Sequence, residues 1–141
     1  MKILMLSLLV FLILVEPKLQ GGEKTQPTLG ILWDRTSAFL LVCQSREETY
    51  ALLGENAEAK GVTECVDKAV REIKPVYDDL KATVTKPKAE EKLKEYMAVW
   101  LFVIKKIPRS APNRRILQQE QEKDKDLVKR KYAELIMELD Y

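Results

Sequence analysis

The segment from Cys43 to Cys65 reads CQSREETYALLGENAEAKGVTEC, with a cysteine at each end and Gly54 at its centre. A chain that ends one helix at Gly54 and turns back brings the two cysteines level with each other. Glycine just past the end of a helix is the usual punctuation. The segment therefore predicts two antiparallel helices joined by a disulfide, with the second helix beginning near Asn56 or Ala57.

Upstream of these helices, the chain begins with an apolar leader. Lys2 supplies a short positive region, and residues 3–15 are apolar except for Ser7. As a helix this run spans about 20 Å, less than the roughly 30 Å of a hydrocarbon core. The pattern favours a secretory signal peptide over residues 1–21, cleaved near Gly21 or Gly22 or after Gln20, and an uncleaved anchor is the alternative.

A secreted protein folds in an oxidising compartment, where paired cysteines form disulfides. We therefore expect residues 22–141 to form an extracellular helical domain with Cys43 bonded to Cys65. Closing a loop of about 22 residues stabilises the fold by about 3.4 kcal/mol if chain entropy dominates. Two free buried cysteines are the alternative.

Apolar residues recur at helical spacing on both sides of Gly54. Before it, intervals of three, four and seven residues place apolar side chains on one face and predict a first helix over about residues 28–53. After it, the same periodicity over residues 62–84 predicts a second helix. Because Pro75 lies inside that pattern and has no backbone N–H, we expect a kink or a break near Ile73.

Prolines mark the ends of two further predicted helices. A third opens with Thr85 as its N-cap and Pro87 in its first turn, and stops at Pro108. A fourth is predicted over about residues 111–139. Its middle, residues 118–126, is polar on every side, so we expect this part either to project beyond the bundle or to break the helix in two.

No alternating strand pattern occurs in the sequence. The predicted fold is all-α: a single-domain antiparallel bundle of about four helices with one disulfide, the second helix being kinked near Pro75. Removal of the leader leaves 22 basic and 21 acidic residues, a balance that predicts no nucleic-acid partner. No later apolar run reaches the roughly 18 residues of a spanning helix, so we expect no stable membrane insertion.

The composition excludes most catalytic chemistry. The 141 residues include two cysteines and no histidine. Serine and cysteine hydrolases that rely on an imidazole base are excluded, as are sites that bind zinc or haem through histidine. Two cysteines are too few for a Cys₄ zinc site or an iron–sulfur cluster. We expect a protein without enzymatic activity, metal or cofactor.

The longest apolar run of the predicted domain, residues 97–104, reads MAVWLFVI and would be apolar on all sides of a helix. One interpretation is a central helix buried in the bundle. The other is surplus apolar surface that lines a pocket for a hydrophobic ligand, with Lys or Arg at its mouth for a carboxylate. The candidate lining residues are Trp33, Phe39, Tyr77, Tyr96, Trp100 and Phe102.

The tip between the third and fourth helices carries five positive charges within eleven residues. A solvated tip that caps the helices is one interpretation, and an electrostatic contact for an acidic partner is the other. The residues of this candidate contact patch are Lys105, Lys106, Arg109, Arg114 and Arg115.

Together these features predict a secreted, non-enzymatic binding protein whose helical bundle carries a small hydrophobic ligand. The alternative is a secreted protein-interaction factor, such as an effector, an inhibitor or a cytokine-like bundle, which acts on an extracellular protein through its surface. Co-purified lipid would distinguish the two.

Overall fold

The computed structural model describes residues 28–53 and 59–140, which form four α-helices. We label them in chain order α1 (Leu29–Leu53), α2 (Ala59–Thr83), α3 (Pro87–Lys105) and α4 (Arg114–Asp140). The predicted all-α bundle is confirmed. The predicted signal peptide and the predicted turn at Gly54, with the start of the second helix at Asn56 or Ala57, lie outside the described residues.

The disulfide joins α1 to α2 as predicted. Cys43 and Cys65 are bonded, their Cα atoms are 5.7 Å apart, and both side chains are buried. The bond lies inside the apolar core. Cys43 shares the inward face of α1 with Leu40, and Cys65 shares the inward face of α2 with Val62. The first two helices are therefore a covalently closed hairpin.

The four helices alternate in direction and form two hairpins, α1–α2 and α3–α4, within which packing is most extensive. The hairpins meet along one diagonal, where α1 contacts α3, and along two side seams, α1–α4 and α2–α3. By contrast, α2 and α4 have no Cα pair within 8 Å. The cross-section is thus a rhombus whose short diagonal runs from α1 to α3.

Two predictions about helix ends and prolines need correction. Helix α2 continues through Pro75, which is exposed, so the break does not occur, whereas the kink stays a prediction. Helix α3 does not use Thr85 as its N-cap: the N-cap is Lys86, with ψ at 122° and no side-chain cap. The reason is Pro87, because a proline forces the residue before it into extended backbone and so sets the boundary one residue later than predicted.

The polar middle of the fourth helix behaves differently from the prediction. Helix α4 begins after Asn113, whose side-chain oxygen accepts a 3.0 Å hydrogen bond from the backbone N–H of Ile116. It then runs unbroken through residues 118–126. The prediction that this part projects or breaks is wrong, because Gln121 and Asp124 are buried against the rest of the bundle.

Candidate ligand-binding groove

The centre of the bundle is filled by two of the predicted lining residues, Tyr96 and Trp100, which are both 0% exposed. The indole N–H of Trp100 donates to the backbone oxygen of Thr36 at 3.0 Å. The hydroxyl of Thr36 donates to the backbone oxygen of Leu32 at 2.8 Å, so the Tyr96 hydroxyl is the donor in its own bond to Thr36. Both aromatic side chains are therefore packed core with their polar atoms satisfied.

Burial has an electrostatic consequence for Tyr96. It raises the pKa of the phenol well above its ordinary value, and the hydrogen bond to Thr36 opposes that shift only in part. The phenol is therefore neutral at every physiological pH. It acts as a hydrogen-bond donor that fixes α3 against α1.

The other four predicted lining residues are not brought together. Trp33 is half-buried and stacks on Tyr132, with ring centroids 4.4 Å apart. Phe102 is 61% exposed, with the Lys106 ammonium 4.5 Å from its ring centroid. Phe39 and Tyr77 line two different surface grooves. The six aromatic residues thus do not enclose one common pocket.

The α2–α3 seam contains the most apolar of the larger surface grooves. Its volume is about 440 Å³, and Tyr77 is the one predicted lining residue in it. Its apolar lining is Val70, Tyr77, Met97, Ala98 and Leu101. Its charged lining is Lys74, Asp78, Lys94 and Lys105. We call this site the α2–α3 groove.

The groove lies at a seam where α2 and α3 pack against each other much less extensively than the two helices within either hairpin do. Ala98 faces the seam with a side chain too small to fill it, and Leu101 is only half-buried. Met97 and Val70 close the floor towards the core. The opening is thus a product of bundle geometry and of one small residue.

Charges in the groove are mostly positive. Lys74 pairs with Asp78, and the Lys94 ammonium lies 2.7 Å from a carboxylate oxygen of Glu90. The ammonium of Lys105 has no ion-pair or hydrogen-bond partner among the described residues. Three lysines against one aspartate leave the lining with a surplus of positive charge.

The pKa values around the groove follow from these contacts. The hydrogen bond that Lys94 donates to Glu90, together with the negative charge of that carboxylate, raises the pKa of Lys94. Burial raises the pKa of Tyr77, and the charge of Lys94 opposes it. Both residues are therefore hydrogen-bond donors at neutral pH, and neither offers a base.

A second groove of about 470 Å³ lies between α1 and α2, with Phe39 in its lining. Its charges are of both signs and interleaved: Lys68 pairs with Glu72, and Arg46 donates to the backbone oxygen of Gly61 at 3.2 Å. Glu64 also faces this groove. Its lining is more polar than that of the α2–α3 groove, which makes it the poorer apolar site.

The five residues of the predicted basic patch do not form a free cationic surface. Arg109 points inward, is 10% exposed at its side chain, and pairs with the carboxylates of Glu47 and Asp124. Lys106 also contacts Asp124, at 2.8 Å. Arg114 lies 3.7 Å from a carboxylate oxygen of Glu48. This leaves Lys105, in the α2–α3 groove, and the exposed Arg115 as the unpaired members of the set within the described ranges.

Arg109 belongs to a buried polar cluster that the sequence reasoning missed. We call it the polar seam: Gln44, Glu47, Arg109, Gln121 and Asp124. The Glu47 carboxylate accepts from the backbone N–H of Arg109 at 2.8 Å and from the Gln121 amide at 3.0 Å. Gln44 and Gln121 also exchange side-chain-to-backbone hydrogen bonds. The polar seam attaches the loop after α3 to the α1–α4 seam.

Helical spacing contained a signal for the polar seam. Gln44 follows Leu40 by four residues, and Gln121 follows Leu117 by four, so each continues the inward face of its helix. For the groove, Met97 and Leu101 were inside the apolar run already singled out. Lys74 and Lys94 were missed, because a lysine beside an acid four residues away is typical of an exposed helix face.

The described residues contain no candidate metal site and no candidate membrane-spanning helix. Over residues 28–53 and 59–140, no group of three or more His, Cys, Asp or Glu side chains is placed to hold a metal ion. In the same ranges, no helix has the length and apolar content needed to cross a membrane. Comparisons of the chain with protein families, curated proteins and solved structures find no match.

Proposed function

We propose that this protein is a secreted, non-enzymatic binding protein that carries a small amphipathic anion in the α2–α3 groove. The observation that carries the proposal is an apolar floor beside Lys105, a lysine with no partner among the described residues. The ligand class that fits has one hydrocarbon chain and one acidic headgroup.

The size and lining of the groove support an organic ligand. Sites for small molecules usually measure about 300–1,000 Å³ and combine apolar walls with a few polar groups. The groove has a volume of about 440 Å³ and an apolar wall that includes Met97 and Leu101. A hydrocarbon chain on this wall would be removed from water, the dominant favourable term for apolar ligands.

The position of Lys105 supports an acidic headgroup. Lys105 follows Leu101 by one helical turn, so its ammonium extends from the end of the apolar wall. A carboxylate there would receive a charge-assisted hydrogen bond, which is about twice as strong as a neutral one. Lys74 and Lys94 already have acidic partners, so the surplus positive charge of the groove is that of Lys105.

Secretion and the absence of catalysis have their own support. The apolar leader predicts export, and the Cys43–Cys65 disulfide is the bond that an oxidising compartment allows. The chain has no histidine, and the raised pKa values of Tyr77 and Lys94 keep both side chains protonated at neutral pH. These groups are suited to holding an anion.

The test is isothermal titration calorimetry of the disulfide-bonded protein with dodecanoate, dodecanol and dodecyltrimethylammonium, each below its micellar concentration. We expect dodecanoate to bind once per chain and to bind about tenfold more tightly than the cationic probe, a difference of about 1.4 kcal/mol. The variant Ala98→Trp fills the groove and should abolish binding. Its matched control is Ala133→Trp, at an exposed alanine of α4 outside the groove, which should bind normally.

Lys105→Glu tests the headgroup separately. It should reverse the preference, so that dodecyltrimethylammonium binds more tightly than dodecanoate. No binding by the unmodified protein, or equal loss in Ala98→Trp and Ala133→Trp, contradicts the proposal. Either result, together with ligand-free protein in native mass spectrometry, would favour the surface-acting interaction factor instead.

A further inference from the structure

The α2–α3 groove has polar groups at both of its ends. Because α2 and α3 are antiparallel neighbours in the chain, the second half of α2 lies beside the first half of α3. The groove residues found there are Lys74, Tyr77, Asp78 and Lys94, and we call them the tyrosine end. Lys105, in the last turn of α3, is the lysine end.

The apolar wall separates the two ends. Lys105 follows Lys94 by eleven residues on α3, which corresponds to about 16 Å along the helix axis. Met97, Ala98 and Leu101 lie between them on the same helix. A ligand that fills the groove from end to end is therefore extended, with an apolar middle and two termini in different surroundings.

The charges of the two ends differ. At the tyrosine end, Lys74 pairs with Asp78, and the Lys94 ammonium lies 2.7 Å from a carboxylate oxygen of Glu90. Two ammonium groups are thus matched by two carboxylates, whereas Lys105 has no partner among the described residues. The lysine end attracts an anion, and the tyrosine end has no surplus charge to attract a second one.

The Tyr77 hydroxyl is available for hydrogen bonding at the tyrosine end. Its side chain is half-buried in the groove lining, and the hydroxyl makes no hydrogen bond within the part of the chain that the structure describes. Burial raises the pKa of the phenol, the charge of Lys94 opposes that shift, and the charges of Asp78 and Glu90 add to it. The hydroxyl therefore stays protonated at neutral pH, and it both donates and accepts.

We infer that the preferred ligand of the α2–α3 groove is an ω-hydroxy fatty acid, with its carboxylate at the lysine end and its hydroxyl at the tyrosine end. The inference rests on the proposed function and narrows its ligand class. A methyl terminus would displace water from the Tyr77 hydroxyl without replacing its hydrogen bond. A second carboxylate would lose more hydration free energy than a hydroxyl does and would find Lys74 and Lys94 already paired.

Isothermal titration calorimetry of the disulfide-bonded protein tests the inference with dodecanoate, ω-hydroxydodecanoate and dodecanedioate, each below its micellar concentration. An extended dodecyl chain is about as long as the groove, given carbon–carbon bonds of about 1.5 Å. We expect ω-hydroxydodecanoate to bind about fivefold more tightly than dodecanoate, the gain that one neutral hydrogen bond supplies. Dodecanedioate should bind more weakly than ω-hydroxydodecanoate.

The variant Tyr77→Phe removes the hydroxyl and keeps the ring. It should bind dodecanoate and ω-hydroxydodecanoate equally, because the partner of the second polar terminus is gone. Tyr132→Phe is the matched control: Tyr132 is a half-buried tyrosine of α4 that stacks on Trp33, outside the groove. This control should keep the fivefold preference.

The outcomes distinguish this inference from the proposed function. Binding of dodecanoate with no preference for the hydroxylated probe overturns the inference and leaves the proposed function standing. A preference that survives in Tyr77→Phe, or dodecanedioate that binds at least as tightly as ω-hydroxydodecanoate, has the same meaning. Failure of all three probes contradicts both. Circular dichroism and the denaturant midpoint verify the fold of each variant, and the preference of the unmodified protein tests the inference without any variant.

Discussion

The two hairpins meet along two seams of opposite character. On the α1–α4 side, the polar seam joins Glu47, Gln121 and Arg109 by directed hydrogen bonds, and its members are nearly inaccessible to water. On the α2–α3 side, apolar residues face each other across an open groove with Ala98 at its edge. One seam is closed by geometry-specific bonds and the other is left partly unfilled.

The α1–α4 seam and the α2–α3 seam therefore have different roles in the bundle. Hydrogen bonds to a buried carboxylate fix the register of the hairpins, because they are satisfied only at one relative position. Apolar contacts are non-directional and tolerate a gap. The closed seam therefore sets the alignment, and the open seam is available for a ligand. The predictions below test that division.

The largest effect is expected from Glu47→Ala in the polar seam. Removing this carboxylate leaves the guanidinium of Arg109 with one acidic contact fewer, and it removes the acceptor of one Gln121 amide hydrogen and of the Arg109 backbone N–H. Breaking a buried ion pair on one side costs about 3–5 kcal/mol of unfolding free energy. Urea unfolding followed by circular dichroism measures it.

The neighbouring residue supplies the control for that prediction. Glu48 pairs with Arg114 at the surface, so Glu48→Ala should cost no more than about 1 kcal/mol. Equal losses for the two variants would mean that the polar seam holds the hairpins no better than a surface ion pair. The contrast between the seams would then disappear.

A smaller effect is expected at Tyr96, on the α1–α3 diagonal that both seams share. Tyr96→Phe removes one buried hydrogen bond, worth about 1 kcal/mol. The folded pKa of Tyr96 is raised, so its contribution is complete below the unfolded pKa of about 10 and is lost as pH rises through the folded value. The unmodified protein should therefore lose more stability than the variant between about pH 9 and 11. Equal losses of unfolding free energy in the two proteins would show that Tyr96 ionises within the folded protein, with no raised pKa.

The smallest effect is expected in the groove. Ala98 is exposed, so Ala98→Trp should change the unfolding free energy by no more than about 0.5 kcal/mol, like Ala133→Trp on α4. Urea unfolding of the two variants side by side provides the comparison. A loss well above that of Ala133→Trp would mean that the α2–α3 seam is closed in solution.

Much of the fold followed from local patterns. The equal distances of Cys43 and Cys65 from Gly54 in the sequence predicted the first hairpin and its disulfide. Each helical residue adds the same rise along the helix axis, so two residues equally far from the turn lie at the same level of the hairpin. Pro87 predicted the start of α3 to within one residue. The error at Thr85 arose from preferring a good capping side chain over the backbone restriction that a proline imposes on its neighbour.

The sites were less predictable, because they depend on how helices pair. Tyr96 and Trp100 are equally apolar as core or as pocket lining, and only their tertiary position at Thr36 distinguishes the two. Gln121 and Asp124 looked like solvated surface because their partners, Glu47 and Arg109, are distant in sequence. Periodicity shows which face a residue shares, but it does not show whether a polar residue on that face finds a partner.

The rhombic cross-section has an evolutionary consequence. Because α2 and α4 have no Cα pair within 8 Å, a change on one reaches the other only through α1 or α3. Effects of distant, unconnected substitutions are additive. The two outer helices can therefore diverge independently in related chains, without compensating for each other. Each helix of the central pair, α1 and α3, contacts all three other helices. A substitution on α1 or α3 therefore affects every neighbouring helix, and we expect non-additive effects of substitutions to be concentrated there.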